Sequence, residues 1–103
     1  MGFPVIITPT AIGDLEEIVR YIALDSPQRA KNFGYELIDE ALAIGRFPEM
    51  GRVTPEIDDP NVREIVHGSY RIIYELRRDP SALYILRYWH GARGTPELPR
   101  ERL

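Results

Sequence analysis

The side chains best suited to chemistry lie in one short segment near the end of the chain, Arg87–Gly94, which reads RYWHGARG. It contains the only tryptophan, one of two histidines and two arginines. Metal-independent RNA cleavage needs a base for the 2′-hydroxyl proton, an acid for the leaving oxygen and cations around the phosphorane, and His90 and Arg93 offer such groups. The same cations and aromatic rings concentrate in protein–protein hot spots. The segment therefore predicts either a nuclease site or a docking edge for a protein partner.

Each side chain of this segment also has a structural interpretation. In a strand, Arg87 and Trp89 would share one face, and Tyr88 and His90 would share the other. Trp89 could stack on a base, but packing in a core or an interface is the commoner role of tryptophan. His90 could exchange protons or be a hydrogen-bonded structural residue. Arg93 could anchor a partner or simply be solvated in a loop.

The composition is that of an ordinary globular domain. The 103 residues are enough for one modest hydrophobic core, and the apolar fraction is 44%. The formal charge of −3 lacks the basic excess typical of proteins that bind phosphates. With no cysteine, no signal-like N-terminus and no apolar run of about 20 residues, a cytoplasmic protein without a membrane segment is expected. No spacing typical of metal ligands or of a phosphate-binding glycine loop occurs, so neither a metal nor a cofactor is expected.

The first part of the chain predicts a strand and then a helix. Residues Phe3–Thr8 are short and β-branched, which favours a strand. From Ala11 onward the apolar residues recur at helical spacing, with Thr10 as the expected N-cap and an end near Asp25. Three acidic side chains would then favour the helix dipole in the first turn and need no catalytic role: Asp14, Glu16 and Glu17.

A second helix follows almost at once. Ser26 can cap it, and Pro27 suits its first position because the missing N–H would be unpaired there. The helix is expected to end at Phe47-Pro48, which makes an αα-hairpin with the first helix. Residues 48–61 are rich in proline and read as a loop, in which Gly51 is expected to take a positive φ angle.

The rest of the chain predicts three strands, Val62–His67, Tyr70–Arg77 and Leu83–His90, joined by short turns into an antiparallel meander. The expected fold class is α+β: an N-terminal strand, an αα-hairpin and the three-stranded meander, with the helices on one face of an antiparallel sheet. The other face would be left to water or a partner. Residues 1–94 would form the domain and residues 95–103 a polar tail.

Four segments carry a resemblance through their order and spacing: DLEEIVRYIALDSPQRAKNF (Asp14–Phe33), FPEMGR (Phe47–Arg52), GSYRIIYEL (Gly68–Leu76) and ILRYWHGARG (Ile85–Gly94). Together they resemble the RelE/ParE toxins of bacterial toxin–antitoxin systems over nearly the whole chain. The resemblance implies a RelE/ParE-type fold and a toxin that is neutralised by an antitoxin encoded beside it.

The resemblance implies one of two activities. RelE-like members cut mRNA, typically at the ribosome, whereas ParE-like members bind DNA gyrase. The segment FPEMGR and the ending LRxxHGAR are more similar to the ParE side. Arg71 and Arg93 match arginines that RelE-like nucleases use against the phosphate, but their paired upstream lysines have no match, and the acidic PEIDDPNVRE stands there instead. Gyrase inhibition by protein–protein binding is therefore expected, with mRNA cleavage as the alternative.

These two activities assign different roles to the same side chains. As a gyrase inhibitor, the chain would bind its target through Arg71, Arg87, Trp89 and Arg93. As a ribonuclease, it would use Arg71, His90 and Arg93 in catalysis, and Tyr74 or Tyr88 could stack on a base. Arg71 could also be no more than the solvated side of a half-buried strand.

A cognate antitoxin is the other expected partner. The apolar stripes of the two helices are wide for so small a domain, so an antitoxin segment is expected to wrap across the hairpin and the open sheet face. The residues expected to contact it are Leu15, Ile18, Ile22, Phe33 and Leu37. Operator DNA would be reached only through the antitoxin.

Overall fold

The computed structural model describes residues 2–99 and shows a five-stranded sheet with two helices packed on one face. The α+β fold class predicted from the sequence is confirmed. In chain order the elements are β1 (Val5–Ile7), α1 (Pro9–Ala23), α2 (Pro27–Ile44), β2 (Arg52–Val53), β3 (Val62–His67), β4 (Tyr70–Arg78) and β5 (Ser81–His90). Neither helix is both long and apolar enough, within the described residues, to cross a membrane.

Helix α1 begins earlier than predicted, because Thr8 and not Thr10 is its N-cap. The Thr8 hydroxyl accepts a hydrogen bond from the Ala11 backbone N–H at 3.2 Å, which satisfies one free donor of the first turn. The same hydroxyl donates to the Ile85 carbonyl at 2.8 Å, so the cap also fixes the helix to β5. The earlier start places Asp14, Glu16 and Glu17 beyond the first turn, so the dipole role predicted for these three acids is wrong.

Helix α2 begins as predicted. The Ser26 hydroxyl accepts a hydrogen bond from the Arg29 backbone N–H at 3.2 Å, and Pro27 occupies the first turn. The helix ends at Ile44, slightly before the predicted end, and the backbone then makes a turn through residues 45–50.

The sheet is mixed and not wholly antiparallel as predicted, because β1 pairs in parallel with β5. The strand order is β1-β5-β4-β3-β2. A parallel pairing needs a long connection between its two strands, and the helices, β2, β3 and β4 lie between these two. The predicted loop also contains a short strand, β2, whose Arg52 and Val53 pair with Glu64 and Arg63 of β3.

Both faces of the sheet carry apolar clusters. On the helical face, the buried side chains include Ile18, Leu37, Ala41, Ile44, Ile72, Tyr74, Leu83 and Ile85. On the opposite face, Val62, Ile73, Leu86 and Trp89 form a second cluster, against which Ile57 and Leu98 pack. The expectation that this face is left open is therefore corrected, since two other segments of the chain lie against it.

Part of the predicted polar tail packs on this second cluster. Leu98 contacts the cluster, and Pro96 and Pro99 are buried. The remaining tail residues, 100–103, lie outside the described residues. The domain boundary at residue 94 stays a prediction.

Tyr74 holds the turn between α2 and β2 against the sheet. Its hydroxyl donates a hydrogen bond to the Pro48 carbonyl at 2.7 Å and accepts one from the Gly51 backbone N–H at 3.0 Å. A Cβ at Gly51 would lie 2.6 Å from the Glu64 carbonyl oxygen, so glycine is required there by close approach. The positive φ predicted for Gly51 is wrong: in residues 2–99 the glycines with positive φ are Gly68 and Gly94.

Replacing Tyr74 with phenylalanine should lower the free energy of unfolding by about 1–3 kcal/mol, because the buried Gly51 N–H and the partly buried Pro48 carbonyl both lose a partner. Urea denaturation followed by circular dichroism measures the change. Tyr35→Phe is the matched control, since Tyr35 is 58% exposed on α2. Equal midpoints for the two variants would show that the Tyr74 hydroxyl does not hold the turn.

Candidate functional site

Arg71, near the start of the central meander strand β4, is neutralised by two carboxylates. Its Nη atoms lie 2.6 and 3.0 Å from the Glu56 carboxylate oxygens. Its Nη2 and Nε lie 2.7 and 3.1 Å from those of Glu64. The Arg71 side chain is 10% exposed and that of Glu64 is fully buried. The interpretation of Arg71 as a solvated strand residue is therefore wrong.

Arg52 of β2 completes a neutral cluster of two guanidinium groups and two carboxylates. Its Nη2 lies 2.7 Å from Glu64 Oε2. Hydrogen bonds from Arg71 lower the pKa of Glu56, and hydrogen bonds to Glu56 and then Glu64 raise the pKa of Arg71. Both groups therefore stay charged at neutral pH. Because the N–H groups of Arg71 already donate to carboxylate oxygens, Arg71 has little capacity to bind a phosphate.

Arg87 is also paired. Its Nε and Nη2 each donate to a different oxygen of the Asp14 carboxylate, both at 2.8 Å, and its Nη1 donates to the Glu97 carbonyl at 2.8 Å. Asp14 accepts a further hydrogen bond from the Tyr88 backbone N–H at 3.1 Å. The hydrogen bonds to Asp14 raise the pKa of Arg87. Arg87 thus joins α1, β5 and the segment after β5.

Sequence reasoning missed Asp14 as a site residue, although a signal was present. Asp14 lies three residues after Ala11 and four before Ile18, both buried on the helical face. An acidic residue within an apolar stripe needs a cationic partner, because an unpaired buried charge is costly.

Trp89 is a core residue, with 2% of its surface exposed. Two guanidinium groups lie over its ring, with the Arg93 guanidinium carbon 4.0 Å and that of Arg87 4.8 Å from the ring centroid. Its Nε1 donates to the Gly94 carbonyl at 3.1 Å. Arg93 is exposed and, within residues 2–99, forms no ion pair with a carboxylate. Of the arginines predicted to contact a target, Arg93 therefore has the free guanidinium.

His90 projects from the other side of the sheet. Arg71 pairs with Trp89 across β4 and β5, while Tyr70 pairs with His90. Because neighbouring residues of a strand alternate between faces, Arg71 and His90 point in opposite directions. His90 Nδ1 accepts a hydrogen bond from the Ala92 backbone N–H at 3.1 Å. Of the three residues predicted for RNA cleavage, His90 and Arg93 line one small cavity, whereas Arg71 points to the opposite face and does not join them.

The residues predicted to bind an antitoxin divide between the core and the helical surface. Ile18 and Leu37 are buried against the sheet, whereas Leu15, Ile22 and Phe33 are partly buried. The outer side of the hairpin has a shallow, mostly apolar groove of about 320 Å³, lined by Leu15, Val19, Ala30, Gly34, Tyr35 and Ile38. Leu15 is thus the predicted contact residue that lines this groove.

Known proteins give an independent comparison. Residues 5–94 match the sequence model of a family described as the ParE toxin of the type II toxin–antitoxin system parDE. A solved structure of a chromosomal ParDE system from P. aeruginosa is similar, with a TM-score of 0.69 and 19% identity over 85% of this chain and 95% of that one. The RelBE2 toxin–antitoxin complex of Mycobacterium tuberculosis contains a similar chain, with a TM-score of 0.65 and 22% identity over 87% and 99%. No curated protein matches significantly.

Replacing Glu64 with glutamine should lower the free energy of unfolding by about 3–5 kcal/mol, because the buried Arg71 loses one of its two counter-charges. Chemical denaturation measures this loss. Asp25→Asn is the control, since the Asp25–Arg29 pair is exposed and should contribute little. The double variant Glu64→Leu with Arg71→Met should recover much of the stability. Similar stabilities for Glu64→Gln and Asp25→Asn would contradict the account of this cluster.

Stability should also depend on Glu56 at acid pH. Its pKa is lowered below 4.5 in the folded chain, so its contribution is present above pH 4.5 and is lost as the pH falls through the folded-state pKa. The free energy of unfolding measured between pH 7 and pH 3 should therefore fall less steeply in Glu56→Gln than in the unmodified chain. Glu49→Gln, which removes an exposed acid 3.6 Å from Arg78, is the control. Parallel curves for Glu56→Gln and the unmodified chain would contradict the prediction.

Proposed function

The chain belongs to the ParE toxin family of type II toxin–antitoxin systems, and we propose that it acts by binding DNA gyrase and catalyses no reaction of its own. The observation that carries this proposal is the neutralisation of Arg71 by Glu56 and Glu64. A nuclease needs this strand arginine free to stabilise the charge of the transition state. An arginine whose donors face two carboxylates has a structural role instead.

The exposed surface at the end of β5 suits protein contact. Arg93 is held over the buried Trp89 ring, so its guanidinium is oriented before a partner arrives. Arginine is one of the residues that dominate interface energies, and an oriented guanidinium favours an acidic group on the target. We expect Arg93 to be the principal contact with gyrase, whereas Arg71, Arg87 and Trp89 support the surface from within.

A cognate antitoxin fits the helical hairpin. The apolar groove between α1 and α2 is open along the outer surface, and Gly34 lets the helices approach closely, since a Cβ there would lie 2.9 Å from Val19. An amphipathic helix is the element that such a groove accommodates. In this proposal the toxin and its antitoxin act in the cytoplasm, and the toxin reaches operator DNA only through the antitoxin.

A ribonuclease acting on mRNA at the ribosome is the alternative, and one observation favours it. His90 and Arg93 both line a small cavity of about 170 Å³. However, Glu17 lines the same cavity, and its carboxylate would repel a phosphate. Asp14 also lines it, but its charge is paired with Arg87. The alternative would also have to work without Arg71.

Purified protein should inhibit gyrase supercoiling, and Arg93→Ala should raise the inhibitory concentration about 30-fold or more, the effect typical of a hot-spot arginine. Arg46→Ala, at an exposed arginine just after α2, should behave like the unmodified protein. His90→Gln should inhibit nearly as well, because no proton is transferred. Circular dichroism should confirm that each variant is folded.

The opposite pattern would overturn the proposal. If induction caused rapid mRNA cleavage while supercoiling stayed normal, and if a folded His90→Gln variant lost all toxicity, the ribonuclease alternative would replace gyrase binding. If the Arg93→Ala and Arg46→Ala variants inhibited gyrase equally, Arg93 would not be the contact.

A further inference from the structure

A second concave surface lies on the helical side of the sheet, where α1 and α2 meet the ends of β3, β4 and β5. We name it the aromatic groove after four rings that line it: Tyr21, Phe33, Tyr70 and His90. The groove has a volume of about 500 Å³. It adjoins the smaller cavity described above, which shares Tyr21, Tyr70 and His90 with it. The two form one continuous surface.

Three of the four rings contact one another in sequence, Phe33 with Tyr70 and Tyr70 with His90. The Phe33 and Tyr70 centroids lie 5.8 Å apart, and those of Tyr70 and His90 lie 5.1 Å apart in an edge-to-face arrangement. Tyr21 is 74% exposed, so its ring is accessible from solvent. Burial raises the pKa of Tyr70, so its hydroxyl stays neutral and adds no charge to the groove. Exposed aromatic faces of this kind attract cations.

Both acidic and basic side chains border these rings, and one carboxylate among them has no cationic partner within the described residues. Glu36 lines the aromatic groove, where its carboxylate lies 2.9 Å from His67 Nε2, and Glu17 lines the adjoining cavity. Glu17 is exposed and forms no ion pair in the part of the chain that the structure describes. Two arginines also border this surface: Arg29 lies 3.4 Å from Asp25, and Arg93, which has no carboxylate partner among residues 2–99, lies over the Trp89 ring. A free carboxylate beside accessible rings is the combination that binds an ammonium or guanidinium group.

We propose that the aromatic groove receives a lysine or arginine side chain of the antitoxin, which lies over Tyr21 and pairs with Glu17. This inference rests on the proposed antitoxin pairing. The chain's net charge of −3 also favours a basic segment over an acidic one. A nucleotide fits less well, because its phosphates would face Glu17 and Glu36. The apolar groove between the helices and the aromatic groove would then be two successive contacts for one antitoxin chain.

The test is the affinity of the full-length chain for the product of the adjacent antitoxin gene, measured by isothermal titration calorimetry. Glu17→Gln combined with Tyr21→Leu should raise Kd about 5- to 30-fold, which corresponds to the loss of one ion pair and one cation–π contact. Tyr21→Phe keeps the aromatic face and should bind normally. Glu16→Gln is the matched control, because Glu16 is an exposed neighbour that does not line either cavity.

The salt dependence of the antitoxin affinity provides a second measurement. The affinity of the unmodified chain should weaken as salt rises from about 0.05 to 0.5 M, and the double variant should show a shallower dependence, because the lost contact is electrostatic. Normal affinity and an unchanged salt dependence in the double variant would overturn the inference and leave the antitoxin pairing intact. The absence of any binding by the unmodified chain would instead refute the pairing. Two further outcomes, each with unchanged antitoxin affinity in the double variant, would also overturn the inference. Binding of AMP to the groove would assign it to a nucleotide. Self-association that is lost in the double variant would assign it to a second copy of the chain.

Discussion

The ion cluster of Arg71 is the interaction on which the rest of the structure depends. A guanidinium group that is largely buried must be neutralised, and the fully buried Glu64 has the same requirement for a cation. The two meet across β3 and β4, and each has a second partner, Glu56 or Arg52. The cluster thus joins β2, β3, β4 and the segment after β2. Through this pairing, Arg71 no longer presents an unpaired cation to a phosphate.

Strand alternation imposes the second constraint. Arg71 and Trp89 occupy one face of the sheet, and Tyr70 and His90 the other, so cations and proton-transfer groups cannot converge from these strands. Beyond β5 the chain bends back, and Arg93 reaches the Trp89 ring from outside. The result is an exposed, oriented arginine above a packed core. Such an arrangement suits recognition of another protein better than bond cleavage.

Much of the fold could be predicted from local chemistry. Ser26 and Pro27 specify the start of α2, and the alternating strands with short turns specify the meander, because both signals act within a few residues. The parallel pairing of β1 and the short strand β2 could not be predicted this way. Both pairings depend on which strands form the edges of the folded sheet, and no local sequence pattern indicates this.

The site was less predictable for the same reason. Asp14 and Arg87 lie 73 residues apart, so no local sequence pattern predicts their pairing. An acidic residue within an apolar stripe does indicate that Asp14 needs a cationic partner. Arg71 and Trp89 were identified by residue type and by resemblance, which cannot distinguish a free side chain from a neutralised or buried one. Glu56 and Glu64 belong to the acidic segment that stands in place of the paired lysines of RelE-like nucleases. Their physical role, as partners of Arg71, required the structure.

The most direct test follows the Arg71 guanidinium itself. In a nuclear magnetic resonance titration of the folded protein with a short single-stranded RNA, the Nε–H signal of Arg71 should exchange slowly with water and should not shift, because this N–H donates to Glu64. The Arg93 signal provides an internal comparison from an exposed arginine. A saturable shift of the Arg71 signal with RNA would show that Arg71 leaves its carboxylates to bind phosphate, and would contradict the account.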